Sequence, residues 1–428
     1  MEKVSMSRKT ALIFFLVFLI SFAAFLYQAW SQTNEECIGC HEDKSLAKKS
    51  ASGEEISLFV DQNEFTRSVH KKIQCIDCHA DLKGIKEFPH KETLMKVECK
   101  GCHEKEYSTY TQSVHGKAFL KGDKNLPTCA TCHGKHYILC ATDPECSTSP
   151  IKQIKVCTKC HEDRKIVAKY NLPGVDFIKS YEKSIHGRAI AEKGLVVSAV
   201  CSDCHGSHEI KPIDDPGSLK NKVNIPAVCS KCHKSVYAEY SQSIHGQAIT
   251  KGMMDSPVCT DCHGEHTIAA STDPASKVSS KNIPKTCSRC HADVKLTEKY
   301  GIPGARYQTY LDSYHGMASK FGETTVANCA SCHGFHGILP SSDPRSSINK
   351  ANLPVTCGKC HPGATKKFAL GKIHVEATKE SSLGKYYVRQ FYIWFISILV
   401  VCFVSYVGLE MYGYLRRRRK EMERNKHK

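Results

Sequence analysis

Ser243-Ile244-His245-Gly246, then Cys259-Thr260-Asp261-Cys262-His263-Gly264-Glu265-His266, then Cys287-Ser288-Arg289-Cys290-His291 succeed one another within fewer than fifty residues. Turn signals lie between them at Asp273-Pro274 and Asn282-Ile283-Pro284. Two CxxCH motifs and two further histidines in so short a stretch decide the reading of the whole chain. In CxxCH the two cysteines add covalently to porphyrin vinyl groups, and the adjacent histidine ligates the iron from one face.

The motif occurs eleven times. The copies are Cys37/Cys40/His41, Cys75/Cys78/His79, Cys99/Cys102/His103, Cys129/Cys132/His133, Cys157/Cys160/His161 and Cys201/Cys204/His205. They continue with Cys229/Cys232/His233, Cys259/Cys262/His263, Cys287/Cys290/His291, Cys329/Cys332/His333 and Cys357/Cys360/His361. Zinc ribbons and disulfide frameworks also use paired cysteines. Neither explains a histidine after every second cysteine.

Of the 23 histidines, eleven lie inside the motif and His427 lies in the basic tail. The other eleven are candidate second axial ligands. His70, His115, His186, His245 and His315 occur as S-x-H, and His136, His208, His266 and His336 as CxxCH-G-x-H. His90 and His374 have neither flank. Eleven haems would then face eleven distal histidines, predicting bis-histidine ligation throughout. Geometry adds a constraint. Three residues of extended chain span at most ~10 Å, whereas crossing a bis-histidine haem from Cα to Cα needs roughly 12 Å with metal–nitrogen bonds of ~2 Å. His266 therefore has to serve a haem other than that of His263.

Similar spacings recur after about 130 residues, as Cys99, Cys229 and Cys357 do. The pattern predicts approximate four-haem repeats over 37–156 and 157–286, and a three-haem repeat over 287–374. Long intervals carry inserted turns, Asn171-Leu172-Pro173-Gly174 and Gly301-Ile302-Pro303-Gly304. Helical spacing of apolar and tyrosyl residues predicts short helices such as Lys231 to Ile244, and strand patterns are scarce. By the same spacing Tyr237, Tyr240, Tyr307 and Tyr310 read as helix-face or haem-packing residues rather than catalytic ones. With about 31 residues per haem, no repeat has a side-chain core of its own. The expected fold is mainly α with much irregular structure, a haem-packed repeat of short helices and turns, plus a C-terminal transmembrane helix.

Lys3, Arg8 and Lys9 precede an uncharged run from Ala11 to Trp30, which predicts an export signal or N-terminal anchor over 1–31. Residues 32–380 then form the haem domain. Phe391 to Gly408 forms the apolar centre of a second membrane candidate over 386–415, followed by the basic tail 416–428 that begins Arg416 to Lys420. The positive-inside rule places that tail in the cytoplasm and the haem domain in the periplasm of a bacterial inner membrane. Cys402 within the span reads as a small apolar residue. Cys140 and Cys146 belong to no CxxCH, and an oxidising compartment predicts a local disulfide between them. The formal charge of +17 does not indicate nucleic acid. The tail alone holds eight Lys/Arg against two Glu, and each ferric bis-histidine haem adds about −1 through its propionates.

The repeated CxxCH-GxH pairs over residues 37–374 resemble multihaem c-type cytochromes of the doubled-CXXCH kind. That resemblance implies a periplasmic electron conduit carrying eleven covalent haems c. Its partners would be a quinol-oxidising or other integral redox subunit in the membrane and periplasmic or outer-membrane cytochromes. Eleven motifs and a C-terminal span depart from the small quinol-dehydrogenase cytochromes. The competing class is a multihaem reductase or dehydrogenase acting on nitrite, hydroxylamine or a sulfur oxyanion. Such an enzyme needs an iron with an open position, and the matched histidine count provides none, so no catalytic residue is assigned.

Overall fold

Serines before the ligand-type histidines start helices. Ser113, Ser184, Ser243 and Ser313 cap Val114–Leu120, Ile185–Lys193, Ile244–Thr250 and Tyr314–Lys320. Each hydroxyl accepts a bond from a glycine N–H, that of Gly116, Gly187, Gly246 or Gly316. A cap of this kind satisfies an otherwise orphaned helix donor and contributes about 1 kcal/mol. At each of these glycines a Cβ would overlap the carbonyl oxygen of Tyr110, Tyr181, Tyr240 or Tyr310 in the helix before. S-x-H-G is thus a local folding instruction: serine starts the helix, histidine rides on its first turn, and glycine admits the neighbouring helix. Those neighbours are Glu104–Gln112, Asp176–Lys183, Lys234–Gln242 and Arg306–Leu311. The helix expected over Lys231 to Ile244 is accordingly two helices, divided where Ser243 caps the second.

The same tyrosines fix the next motif. Their hydroxyls donate to the carbonyls of Pro127, Ala199, Pro257 and Ala327 over 2.5 to 3.2 Å, each two residues before a CxxCH. Tyr240 and Tyr310 are therefore anchors of the backbone. The motifs they hold form one-turn helices, Cys129–His133, Cys201–His205, Cys259–His263 and Cys329–His333. Gly134, Gly206, Gly264 and Gly334 end these turns at φ between 83° and 88°. Side chains with a Cβ rarely adopt that conformation, which is why glycine follows the histidine there.

The computed structural model describes residues 13, 15–21 and 32–426 apart from 51, 52, 86, 124, 175 and 372. The chain is mainly helical, with one antiparallel hairpin, Ala47–Lys49 against Glu55–Ser57, among the described residues. Ile13 and the helical residues 15–21 are exposed. The rest of the expected export segment, with Lys3, Arg8 and Lys9, lies outside the described residues. The chain divides into two compact units. One comprises 1–229 together with 266–268, and the other 230–265 together with 269–428.

Buried apolar side chains are few and scattered, among them Ile38, Ile178, Val200, Val258 and Tyr310. The most deeply buried side chains are serines, including Ser68, Ser113 and Ser243. The polypeptide exposes 31515 Å², about twice the ~16,000 Å² of a compact protein of its mass.

One local expectation is corrected. Cys140 and Cys146 are unbonded. Cys146 is buried and points its Sγ at the Leu139 carbonyl, as Ser276 and Ser346 point their hydroxyls at Ala269 and Leu339. It fills a serine's place in a repeated turn, while Cys140 lies exposed against Thr142. Between the last CxxCH and the long C-terminal helix lies one short helix among the described residues, Lys366–Ala369, which Thr365 caps.

Leu383–Lys426 is one continuous helix. Residues Leu383–Asn425 have a best-window mean hydropathy of 2.2 and none of that window is buried, so the helix is long and apolar enough to cross a membrane. The Arg416–Lys420 cluster extends it past the apolar stretch.

Candidate metal centres

Among the described residues, ten pairs set a CxxCH histidine facing a histidine from outside the motif. The pairs are His41–His90, His79–His136, His103–His70, His133–His208 and His161–His115. The others are His205–His266, His263–His336, His291–His245, His333–His374 and His361–His315. Ring centres in all ten lie 5.9 to 6.3 Å apart. His186 and His233 belong to different compact units.

The separation has a chemical meaning. A direct N–H···N hydrogen bond of ~2.9 Å would draw two imidazole centres to about 5 Å. Two bonds of ~2 Å to one metal ion between the rings, with about 1.1 Å from each nitrogen to its ring centre, give roughly 6.3 Å. The ring planes make angles from 15° to 73°, as rings free to turn about a common ligand–metal–ligand axis would. Among the described residues no three His, Cys, Asp or Glu side chains converge as a cage. A histidine above and another below suit an ion whose four equatorial positions a tetrapyrrole supplies, and two cysteines stand beside each proximal histidine to attach it. The residues fit a haem.

Tautomers are fixed where the flanking residues were least informative. His41 Nδ1 donates to the Leu58 carbonyl at 2.8 Å and His90 Nδ1 to the Lys91 carbonyl at 2.9 Å. A carbonyl only accepts, so both rings keep Nε2 as the lone-pair nitrogen. His374 Nδ1 lies 3.1 Å from Thr309 Oγ1, whose proton is directed to the Ala305 carbonyl, so the histidine is again the donor. His90 and His374 are thus positioned like the other distal histidines. His374 faces His333, however, and not His361, the motif immediately before it.

Burial lowers the pKa of many of these rings, to about 4 for His245 and for His205, where Lys220 adds to the effect. Neutral imidazole is the form that binds metal. The cysteines are present as thiols, standing in for the thioether sulfurs of an attached porphyrin. Burial, and then the neighbouring Cys37 thiol, push Cys75 up to about 11. Hydrogen bonding to Cys201 raises Cys157 further, and Cys287 behaves alike beside Cys329.

Those thiol contacts join motifs in sequence: first to second through Cys37 and Cys75, third to fourth through Cys99 and Cys129, fifth to sixth, and ninth to tenth. In every case the first cysteine of a motif meets the first cysteine of the next.

Second cysteines meet neighbouring motifs as well: burial and then the Cys99 thiol raise Cys78, with Cys102 adding to the effect, and burial and then Cys160 raise Cys132. Cys40, Cys102 and Cys232 are exposed and Cys160 is half-buried. Cys40 and Cys160 lie in the last turns of Asn34–His41 and Pro150–His161, where their carbonyls accept from the amides of Asp43 and Asp163. Cys102 follows the short turn Cys99–Gly101, and Cys232 lies in the turn between Ile225–Ser230 and Lys234–Gln242.

The intervening steps between motifs are joined by a backbone bond that the CxxCH spacing does not announce. The amides of Val69, Val114, Ile185 and Ile244, within S-x-H, donate to the carbonyls of Ile138, Ile210, Ile268 and Ile338 over 2.8 to 2.9 Å. Each acceptor lies two residues after a G-x-H histidine, so the detectable signal was G-x-H-x-I. The staple ties the distal ligands of the second and third sites, the fourth and fifth, and the eighth and ninth. Residues 266–268 fall in the first unit because they meet His205 and Ile185 there. In the first unit these contacts run without a break from the first site to the sixth, in the order of the chain.

No protein-family model, curated protein or solved structure matches this chain.

Proposed function

We propose that the chain is a membrane-attached electron-transfer conduit carrying eleven covalent c-type haems with bis-histidine ligation. One observation carries the proposal: ten separate pairings of a CxxCH histidine with a distal histidine, all at the spacing of two ligands on one metal ion. The large exposed surface and the scarcity of a side-chain core agree with it, since porphyrins would supply the missing apolar interior. Bound there, haem iron supplies a one-electron couple. The protein's part is to hold both axial nitrogens, exclude other ligands and keep successive sites in contact through the cysteine pairs and the S-x-H staples. Two histidines per iron leave no position for a substrate, which favours a carrier over a reductase. The C-terminal helix anchors the chain, with Arg416–Lys420 on the cytoplasmic side and the haem domain in the periplasm, between a quinol-linked membrane partner and periplasmic or outer-membrane acceptors.

Intact mass of the purified protein is expected to give eleven haems. The reduced spectrum is expected not to change with carbon monoxide. Fewer haems in fully matured protein would reject the count, and carbon monoxide binding to one full haem would favour the reductase.

A further inference from the structure

The helix that carries His315 differs from its sisters on one side. Tyr314, Met317 and Phe321 lie at i, i+3 and i+7 and are 82, 51 and 84% exposed. A spacing of three and seven places them on one face. The positions of Met317 and Phe321 are held by Lys117 and Lys121, Arg188 and Glu192, and Gln247 and Lys251 in the three corresponding helices, all exposed. Charged residues there show that this face looks to the solvent in those repeats and not toward a porphyrin. Tyr314 stands where Val114, Ile185 and Ile244 stand, so it is at Met317 and Phe321 that the last repeat alone extends an apolar face. Phe335 likewise stands where Lys135, Ser207 and Glu265 stand, and Val355 where Lys155 and Lys285 stand, both largely exposed.

This repeat is the one fastened to the membrane-spanning helix. Lys385, in the first turn of that helix, donates to the Val375 carbonyl, and the neighbouring His374 bonds Thr309 in the helix packed against Tyr314–Lys320. Lys385 precedes Phe391, where the apolar run begins, by six residues, or about 9 Å of helix. The interfacial layer on each side of the hydrocarbon is about 5–8 Å thick. The helix pair bearing the stripe is therefore tethered at the outer edge of the headgroup layer, with its exposed side chains within reach of it.

We infer that Tyr314, Met317 and Phe321 form a membrane seat, resting in the lipid interface on the side where the haem domain lies and holding the His315–His361 site against the bilayer. The occupant is lipid because the tether already places that layer beside the stripe. Aromatic and methionine side chains there gain by burying apolar surface at the acyl boundary, as interfacial helices do. The inference rests on the conduit reading only for what is carried to the membrane; the seat itself depends on the stripe and the tether.

The test uses the purified full-length haem-loaded protein in vesicles of phosphatidylethanolamine and phosphatidylglycerol, doped with a phospholipid bearing a photoreactive diazirine near its headgroup. After illumination, labelling is mapped by peptide. The expected result is labelling of 314–321 as strong as that of the segment holding Tyr386 and Tyr387, with 244–251 at background. The double variant Met317→Lys/Phe321→Lys, which reproduces Lys117 and Lys121, is expected to lose the label on 314–321 with haem content unchanged. Labelling of 314–321 no stronger than that of 244–251 would overturn the inference. So would an unlabelled stripe that a cross-linker joins to another protein in native membranes. Haem content, read by intact mass on the same samples, separates failure of the seat from failure of the conduit reading.

Discussion

The amide of Ile244 donates to the carbonyl of Ile338 at 2.9 Å, and through that bond the backbones carrying His245 and His336 are held together. The two histidines face different partners, His291 and His263. A single backbone contact thus couples two sites, and ligand pairing does not follow proximity in sequence.

His266 tests the pairing most directly. Replacing it with alanine is expected to convert one haem to high spin, and that haem should be the one on Cys201 and Cys204. With those cysteines changed to serine, the substitution should add no high-spin signal. With Cys259 and Cys262 changed instead, the signal should persist. Electron paramagnetic resonance reads the difference, and the two backgrounds form a coupling cycle. Loss of the effect in the Cys259/Cys262 background would reverse the assignment.

His374 makes a parallel case next to the membrane. His374→Ala should open the tenth site, because the ring faces His333. The high-spin signal should survive removal of Cys357 and Cys360 and vanish on removal of Cys329 and Cys332. The opposite outcome would place His374 on the eleventh site.

Packing at the S-x-H-G corner predicts a graded loss of stability. Gly246→Ala forces a Cβ against the Tyr240 carbonyl and should cost about 1–3 kcal/mol. Tyr240→Phe removes only the bond to Pro257, for about 0.5–1.5 kcal/mol. Thermal midpoints of the loaded protein should fall in that order, and a Gly246→Ala midpoint equal to that of the unsubstituted protein would discount the close approach.

Cys146 should tolerate serine, the residue of the sister turns, with little change in stability. Valine there would leave the Leu139 carbonyl without its donor, at about 1–3 kcal/mol. Alkylation after unfolding without reductant should capture both Cys140 and Cys146. Recovery of a linked peptide would restore the disulfide.

The helical class, the shortage of strand and the long apolar C-terminal helix were all legible, because capping serines, turn glycines and hydropathy act over short distances. So was the constraint that His266 must look beyond His263; the structure sets it against His205. The pairing map was not legible. Nothing in the residues around His374 distinguishes His333 from His361, since the choice is made by Thr309, far away in sequence. The Ile138, Ile210, Ile268 and Ile338 acceptors escaped notice too, because a backbone carbonyl leaves its mark only on the shape of the turn around it. Cys146 misled for a related reason. A thiol and a hydroxyl can fill the same corner, and composition alone favoured the bond over the packing.

The direction of each pairing has a consequence in time. His115, His245 and His315 precede the motif histidines they face, whereas His136, His208, His266 and His336 follow theirs. A chain threaded outward from its N-terminus would deliver these two kinds of ligand at opposite moments. The third, fifth, ninth and eleventh sites could close as soon as their cysteines emerge, the waiting histidine being already outside. Even-numbered sites stay half-coordinated until the next segment arrives. Maturation would then advance as a ratchet, each newly delivered stretch locking the one before it, and a chain truncated ahead of its next G-x-H would leave its last even site open on one face.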